Sequence, residues 1–210
     1  MGKNIGIMAM LQKQYHSTDL PEEWEAALGQ ISDPFRWLVF GLPKNGKTTF
    51  LLKFCQAMSL RNKVYYNSSE EGDSKTLQQA IIRAGFTEAN SGKFILGDRD
   101  TFSEMIEKLR KNKAKIVVID SRDYLKLTTD QYKKLTTMFP KKSFIIVCWE
   151  QSGKPLGKYA KDIEFMVDMV THVSDHIATT NGRFGAELKY DVWKEKPTRK
   201  RRLGGQLTLI

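Results

Sequence analysis

The stretch from Phe40 to Phe50 restricts this chain more than any other: Phe-Gly-Leu-Pro-Lys-Asn-Gly-Lys-Thr-Thr-Phe. Gly41, Gly46, Lys47 and Thr48 fit the pattern G-x-x-x-x-G-K-[ST] without a gap, the P-loop or Walker A motif. The spelling has a physical reason. A triphosphate concentrates negative charge and needs donors that approach closely. Glycines let successive backbone N–H groups converge on one cluster of oxygens. A helix opening at the end of the loop adds the positive end of its dipole. The residues expected to cradle phosphate are Gly41, Leu42, Pro43, Lys44, Asn45, Gly46, Lys47, Thr48 and Thr49. Lys47 is expected to reach the β- and γ-phosphates, and the Thr48 hydroxyl to ligate Mg²⁺.

The flanks supply the required order of strand, loop and helix. Phe35-Arg-Trp-Leu-Val-Phe40 reads as a buried strand. Downstream, Phe50, Leu51, Phe54 and Met58 share one helical face. The bland alternative is a glycine-containing turn before a core helix.

The same alternation continues along the chain. Lys63–Ser69, Lys93–Gly97, Lys115–Asp120 and Lys142–Trp149 read as strands. Helical spacing separates them over Ser74–Ala84, from Thr101 to near Lys111, and over Gln131–Phe139. Thr101 and Glu104 spell a capping box. Ile116-Val-Val-Ile119 runs apolar without alternation, which suits a strand covered on both faces. Asp120 closes it, where a Walker B carboxylate would hold Mg²⁺. Gln151–Lys158 contains Gly153, Pro155 and Gly157 and reads as a mobile loop. A helix over Tyr159–Met166 follows. Beyond Asp168 the pattern turns to short strands, Met169–Val173, His176–Thr180 and Ala186–Trp193. The expected fold is α/β, a mainly parallel sheet flanked by helices with an antiparallel C-terminal extension. The divisions are a lead-in over 1–34 with a short helix at Pro21–Leu28, a nucleotide-binding domain over 35–193, and a basic tail over 194–210.

Charge and cysteines narrow the setting. The 210 residues carry a net charge of +10. Lys194, Lys196, Arg199, Lys200, Arg201 and Arg202 crowd one segment against Glu195 alone. Such a tail either contacts nucleic-acid phosphates or is a solvated terminus. Cys55 and Cys148 lie in apolar runs as small buried thiols, without metal or disulfide spacing. The apolar runs are strand-sized, so no membrane span or leader is expected, and a cytoplasmic setting fits.

In series, these pieces resemble the RecA-like ATPase core, and within it the RadA/Sms and KaiC/DnaB-like branch. The likeness rests on the P-loop, on Val64-Tyr-Tyr-Asn-Ser-Ser-Glu70-Glu71, on Val117-Val-Ile-Asp120-Ser121, and on a strand with a polar end before a glycine-rich loop and Met166-Val-Asp168. Asn181-Gly-Arg-Phe-Gly185 is similar to that branch's Lys-Asn-Arg-Phe-Gly. The resemblance spans roughly residues 35–193. It implies that Glu70 polarises the attacking water, that Gln151 or Glu150 senses the γ-phosphate, and that each ATP lies between subunits of a ring or filament. Asn181 stands where the family has lysine, which leaves Arg183 to supply charge to a neighbour's nucleotide. The resemblance also places the Gly153 loop against DNA, single-stranded DNA favoured. Trp149 and Tyr159 flank it with Lys154, Lys158 and Lys161, a composition suited to stacking bases.

The function so implied is Mg²⁺-dependent ATP hydrolysis in DNA recombination, repair or replication by a homo-oligomer. One alternative is a nucleotide-gated assembly protein with little turnover. Another is a small-molecule kinase, against which Arg83, Arg99, Arg110 and Arg122 are scattered rather than gathered in a lid. His172 and His176 are expected to be satisfied structural residues, because a four-residue spacing converges only on a helix.

Overall fold

A computed structural model describes residues 4–183 and 185–193. The elements in chain order are α1 (Ile7–Leu11), α2 (Glu22–Leu28), β1 (Arg36–Gly41), α3 (Lys47–Ser59), β2 (Val64–Ser68), α4 (Lys75–Arg83), β3 (Phe94–Asp98), α5 (Phe102–Lys111) and β4 (Ile116–Asp120). Then come α6 (Arg122–Leu125), α7 (Thr129–Met138), β5 (Ser143–Gln151), β6 (Lys154–Pro155), α8 (Lys158–Glu164), β7 (Met169–Ser174), β8 (Ile177–Gly182) and β9 (Gly185–Asp191). The sheet runs β3-β2-β4-β5-β1-β7-β8-β9, with β6 hydrogen-bonded to β5 at its end. From β3 to β7 every neighbouring pair is parallel, and β7, β8 and β9 are antiparallel. The carboxyl ends of β1, β2, β4 and β5 therefore share one edge of the sheet, where ligands bind in open α/β folds.

Both faces of this sheet are covered, and the pleat divides each strand between them. Trp37 and Val39 of β1 join Val64 and Tyr66, Val118, Ile145 and Val147 in a core under α2, α3 and α4. Leu38 and Phe40 join Tyr65, Val117 and Ile119, and Phe144, Ile146 and Cys148 in a second core under α5, α7 and α8. With both sets dry, neither alternate position can be polar, which is why these strands read as continuous apolar runs. Part of the lead-in belongs to the first core. Trp24 stacks on Tyr190 of β9 at 4.7 Å and meets Phe54 edge-on at 5.1 Å.

Helix starts follow their caps. Ser74 accepts from Leu77 N at the start of α4. The Thr101–Glu104 capping box opens α5 as expected. A second box, Thr128 with Gln131, starts α7 at Thr129, two residues ahead of the expected Gln131. The expected mobile loop after Gln151 is corrected: β5 continues to Gln151 and pairs with β6, Glu150 against Pro155 and Gln151 against Lys154. Ser152 and Gly153 turn this hairpin with φ of 52° and 75°. Two consecutive positive φ values match the twist of the strands they join. Phe184 and the basic residues from Lys194 onward lie outside the described residues. Among the described residues no helix is long and apolar enough to cross a membrane.

Phe54 is fully buried and touches Trp24, Trp37 and Phe35. Phe54→Ala is expected to cost about 3–5 kcal/mol, read as a lower urea midpoint with an unchanged slope.

Candidate functional site

The site begins where β1 ends. Gly41 lies against β7 so closely that a Cβ there would sit 2.2 Å from the Val173 carbonyl oxygen. No other residue fits without moving the strand. The loop then turns through Lys44 at φ 66° and Gly46 at φ 98°, and α3 starts at Lys47. Asn45 N donates to Leu42 O at 3.4 Å and Phe50 N to Gly46 O at 2.8 Å. Lys47 folds back across this loop and donates to the carbonyls of Gly41 at 2.8 Å and Leu42 at 2.9 Å. Burial pushes the Lys47 ammonium below its ordinary pKa, against the attraction of Asp120 and Glu70. Both carbonyls are neutral acceptors, so an anionic phosphate oxygen would compete well for the ammonium.

Asp120 ends β4 two strands away and is only 7% exposed. Its Oδ2 accepts from Thr48 Oγ1 at 3.0 Å and from the hydroxyl of Tyr66, a fully buried residue of β2. Burial raises the Asp120 pKa, while the bonds from Tyr66 and Thr48 and the charge of Lys47 act the other way. The chain leaving β2 is tied to the same residue, since Ser69 N and Glu70 N both donate to the Asp120 carbonyl, at 2.6 and 3.2 Å. Glu70 and Glu71 therefore stand beside Asp120. Burial and the Asp120 charge raise both of their pKa values. Lys47 opposes this for Glu70, as does a hydrogen bond with the Trp149 side chain.

These groups line one cavity of about 420 Å³. Pro43, Lys44, Gly46, Lys47, Thr48 and Thr49 form its floor, and Glu70, Glu71 and Asp120 one wall. Gly41, Leu42 and Asn45 shape the loop from behind. Thr48 and Asp120 are close enough for one cation to reach both, and hydroxyl and carboxylate oxygens are the donors Mg²⁺ takes. The residues present thus fit a polyphosphate with Mg²⁺.

Gln151 and Glu150 do not line this cavity, and Arg183, expected to act on a neighbouring subunit, lies apart from it. Gln151 is exposed on the hairpin. Glu150 is engaged by His172 Nε2 at 2.8 Å and by Gly153 N at 2.9 Å, and the His172 ring stacks on Phe40 at 4.7 Å. Arg183 lies in a second cavity of about 380 Å³ with Asp168, its guanidinium 3.9 Å from that carboxylate. Tyr159 is exposed on α8, but Trp149 does not face outward with it. Trp149 turns into the P-loop cavity and meets Tyr124 edge-on at 5.6 Å.

The sequence reading missed six cavity residues: Ser68, Thr76, Leu77, Trp149, His176 and Trp193. His176 is not the satisfied histidine expected, because its buried Nδ1 has no partner. It sits with Asp175 in the two-residue turn between β7 and β8, at φ 63° and 48°. Nothing in the local sequence marks His176 for the cavity, and its positive φ shows only in the structure.

No protein-family model and no curated protein matches the sequence. Solved structures do resemble the fold. A KaiC-like protein, PH0186 from Pyrococcus horikoshii OT3, superimposes with a TM-score of 0.63 at 20% identity, covering 84% of this chain and 93% of that one. The flagellar accessory protein FlaH from Methanocaldococcus jannaschii gives a TM-score of 0.59 at 14% identity, over 84% and 94%. The fold is the RecA-like α/β fold of these neighbours.

Raised carboxyl pKa values make the folded chain hold protons that the unfolded chain has released. The contribution of these carboxyls to stability therefore falls as pH rises from the ordinary carboxylate range, about pH 4, through the raised values. Asp120→Asn removes the buried charge. Thermal midpoints measured from about pH 5 to pH 8 are expected to fall less steeply in the variant and to lie above wild type near neutrality.

Proposed function

We propose that this chain is a Mg²⁺-dependent ATPase that works as a homo-oligomer on DNA. The observation that supports it best is the convergence of Lys47 and Thr48, Glu70, and Asp120, from three separate stretches of sequence, on one cavity at the carboxyl edge of the sheet.

The residues take these roles. Backbone N–H groups over Gly41–Thr49 hold the phosphates, and the α3 N-terminus favours their charge. Lys47 exchanges its two carbonyl partners for phosphate oxygens. Thr48 and Asp120 hold Mg²⁺, which when bound neutralises charge on the phosphate oxygens. Glu70 orients water at the phosphate end of the cavity. Its raised pKa suits a base, because a carboxylate held above its ordinary range accepts a proton more readily.

Arg183 is offered to a neighbouring subunit. Its support is position: it is exposed, on an edge of the sheet apart from its own P-loop cavity. DNA contact is assigned to the face carrying the β5–β6 hairpin, where Lys154, Lys158 and Lys161 accompany the exposed ring of Tyr159. The net charge of +10 favours such a polyanion. A cytoplasmic setting follows from the same reading.

Lys47→Ala is expected to abolish ATP binding by calorimetry. Glu70→Gln is expected to bind Mg²⁺–ATP and lose turnover by about 10²-fold or more. Phosphate release is to be measured with and without a single-stranded oligonucleotide. Turnover unchanged in Glu70→Gln would remove the assigned base. Binding without measurable turnover in wild type would favour a nucleotide-gated assembly protein, in line with Asn181 at the position of the resembling motif's lysine.

A further inference from the structure

The side of the cavity above Gly46 is built from segments that no P-loop pattern includes. His176 comes from the β7–β8 turn and Trp193 from the end of the β9 segment. A Cβ on Gly46 would lie 3.2 Å from His176 Nδ1 and 3.8 Å from Trp193 Nε1. Both nitrogens are shut off from solvent, and neither has a hydrogen-bond partner. Both residues line the P-loop cavity.

The rings are held rather than loose. They meet edge to face at 5.9 Å and 88°. Val192 N donates to the His176 carbonyl at 2.8 Å, which fastens the turn to the strand end. Lys53 of α3 donates to the Val192 carbonyl at 2.8 Å, which fastens the strand end to the P-loop helix. A fixed, dry donor without an acceptor is unfavourable, and Trp193 Nε1 can only donate. His176 Nδ1 donates whenever it carries a proton. An acceptor-rich group arriving at Gly46 would satisfy both.

We propose that His176 and Trp193 bind the phosphate chain of the nucleotide, as two ring donors opposing the backbone donors of the P-loop. This rests on the nucleotide reading above and adds a second wall to it. The phosphate chain is thereby gripped between α3 and the antiparallel extension of the sheet.

The test is calorimetric binding of Mg²⁺–ATP and Mg²⁺–tripolyphosphate to wild type, Lys47→Ala, His176→Ala, His176→Gln and Trp193→Phe, each checked for an unchanged thermal midpoint. Phenylalanine keeps the ring without the N–H, and glutamine keeps a donor without the imidazole. His176→Ala and Trp193→Phe are each expected to weaken both ligands by about tenfold or more, with part of the loss restored in His176→Gln. Unchanged binding in both variants would overturn the proposal. Loss toward ATP with tripolyphosphate unaffected would overturn it too, by moving the contact to the nucleoside. Wild-type binding that Lys47→Ala abolishes upholds the nucleotide reading whichever way the two ring variants behave. A wild-type chain that binds neither ligand would overturn both.

Discussion

One carboxylate oxygen joins the parts of this molecule that matter for its chemistry. Asp120 Oδ2 accepts from Thr48 on the P-loop helix and from Tyr66 on β2, while its own strand, β4, pairs with β2. Its backbone carbonyl anchors Ser69 and Glu70. The cavity therefore has its floor, its acidic wall and its candidate base referred to a single residue. Burial makes that residue expensive when ionised. Two hydroxyl donors and a nearby ammonium offset part of the cost, and a cation would offset more. The site is arranged so that a buried, costly charge is the one a metal would relieve.

The cost is sustained by the rest of the structure. Two dry cores on opposite faces fix β1, β2, β4 and β5. The carboxyl ends of these strands are then positioned without help from loops. Hydrophobic burial of this kind is nondirectional, but the pleat makes it select a register. A one-residue slip in β4 would exchange Val118 and Ile116 for Val117 and Ile119 and would turn Asp120 off the cavity.

Much of this was legible in the chain. The P-loop spelling carries its own geometry, and the order of strand, loop and helix around it follows from apolar runs and caps. Asp120 was legible because a four-aliphatic run needs both faces covered and so ends at the ligand edge of a parallel sheet. The Ser152–Gly153 turn was visible as a dipeptide, but Gly153, Pro155 and Gly157 together suggested mobility instead of a tight hairpin. The start of α7 was visible in Thr128 and Gln131 and was overlooked. Other features were not local. The place of β1 between β5 and β7 has no trace in sequence spacing. His176 and Trp193 reach the loop only because residues some 130–147 positions downstream fold onto Gly46. Trp149 sat in a composition that suits base stacking, and its partner Tyr124 was too far along the chain to redirect that reading.

The strand order has a mechanical consequence. β7 is bonded to β1 along four residue pairs, Trp37 with Met169 through Phe40 with His172, and β8 and β9 continue from it. The turn that carries His176 and the strand that leads into the P-loop thus belong to one continuous hydrogen-bonded sheet. A change in the twist of that sheet would therefore alter the P-loop and the His176 turn together.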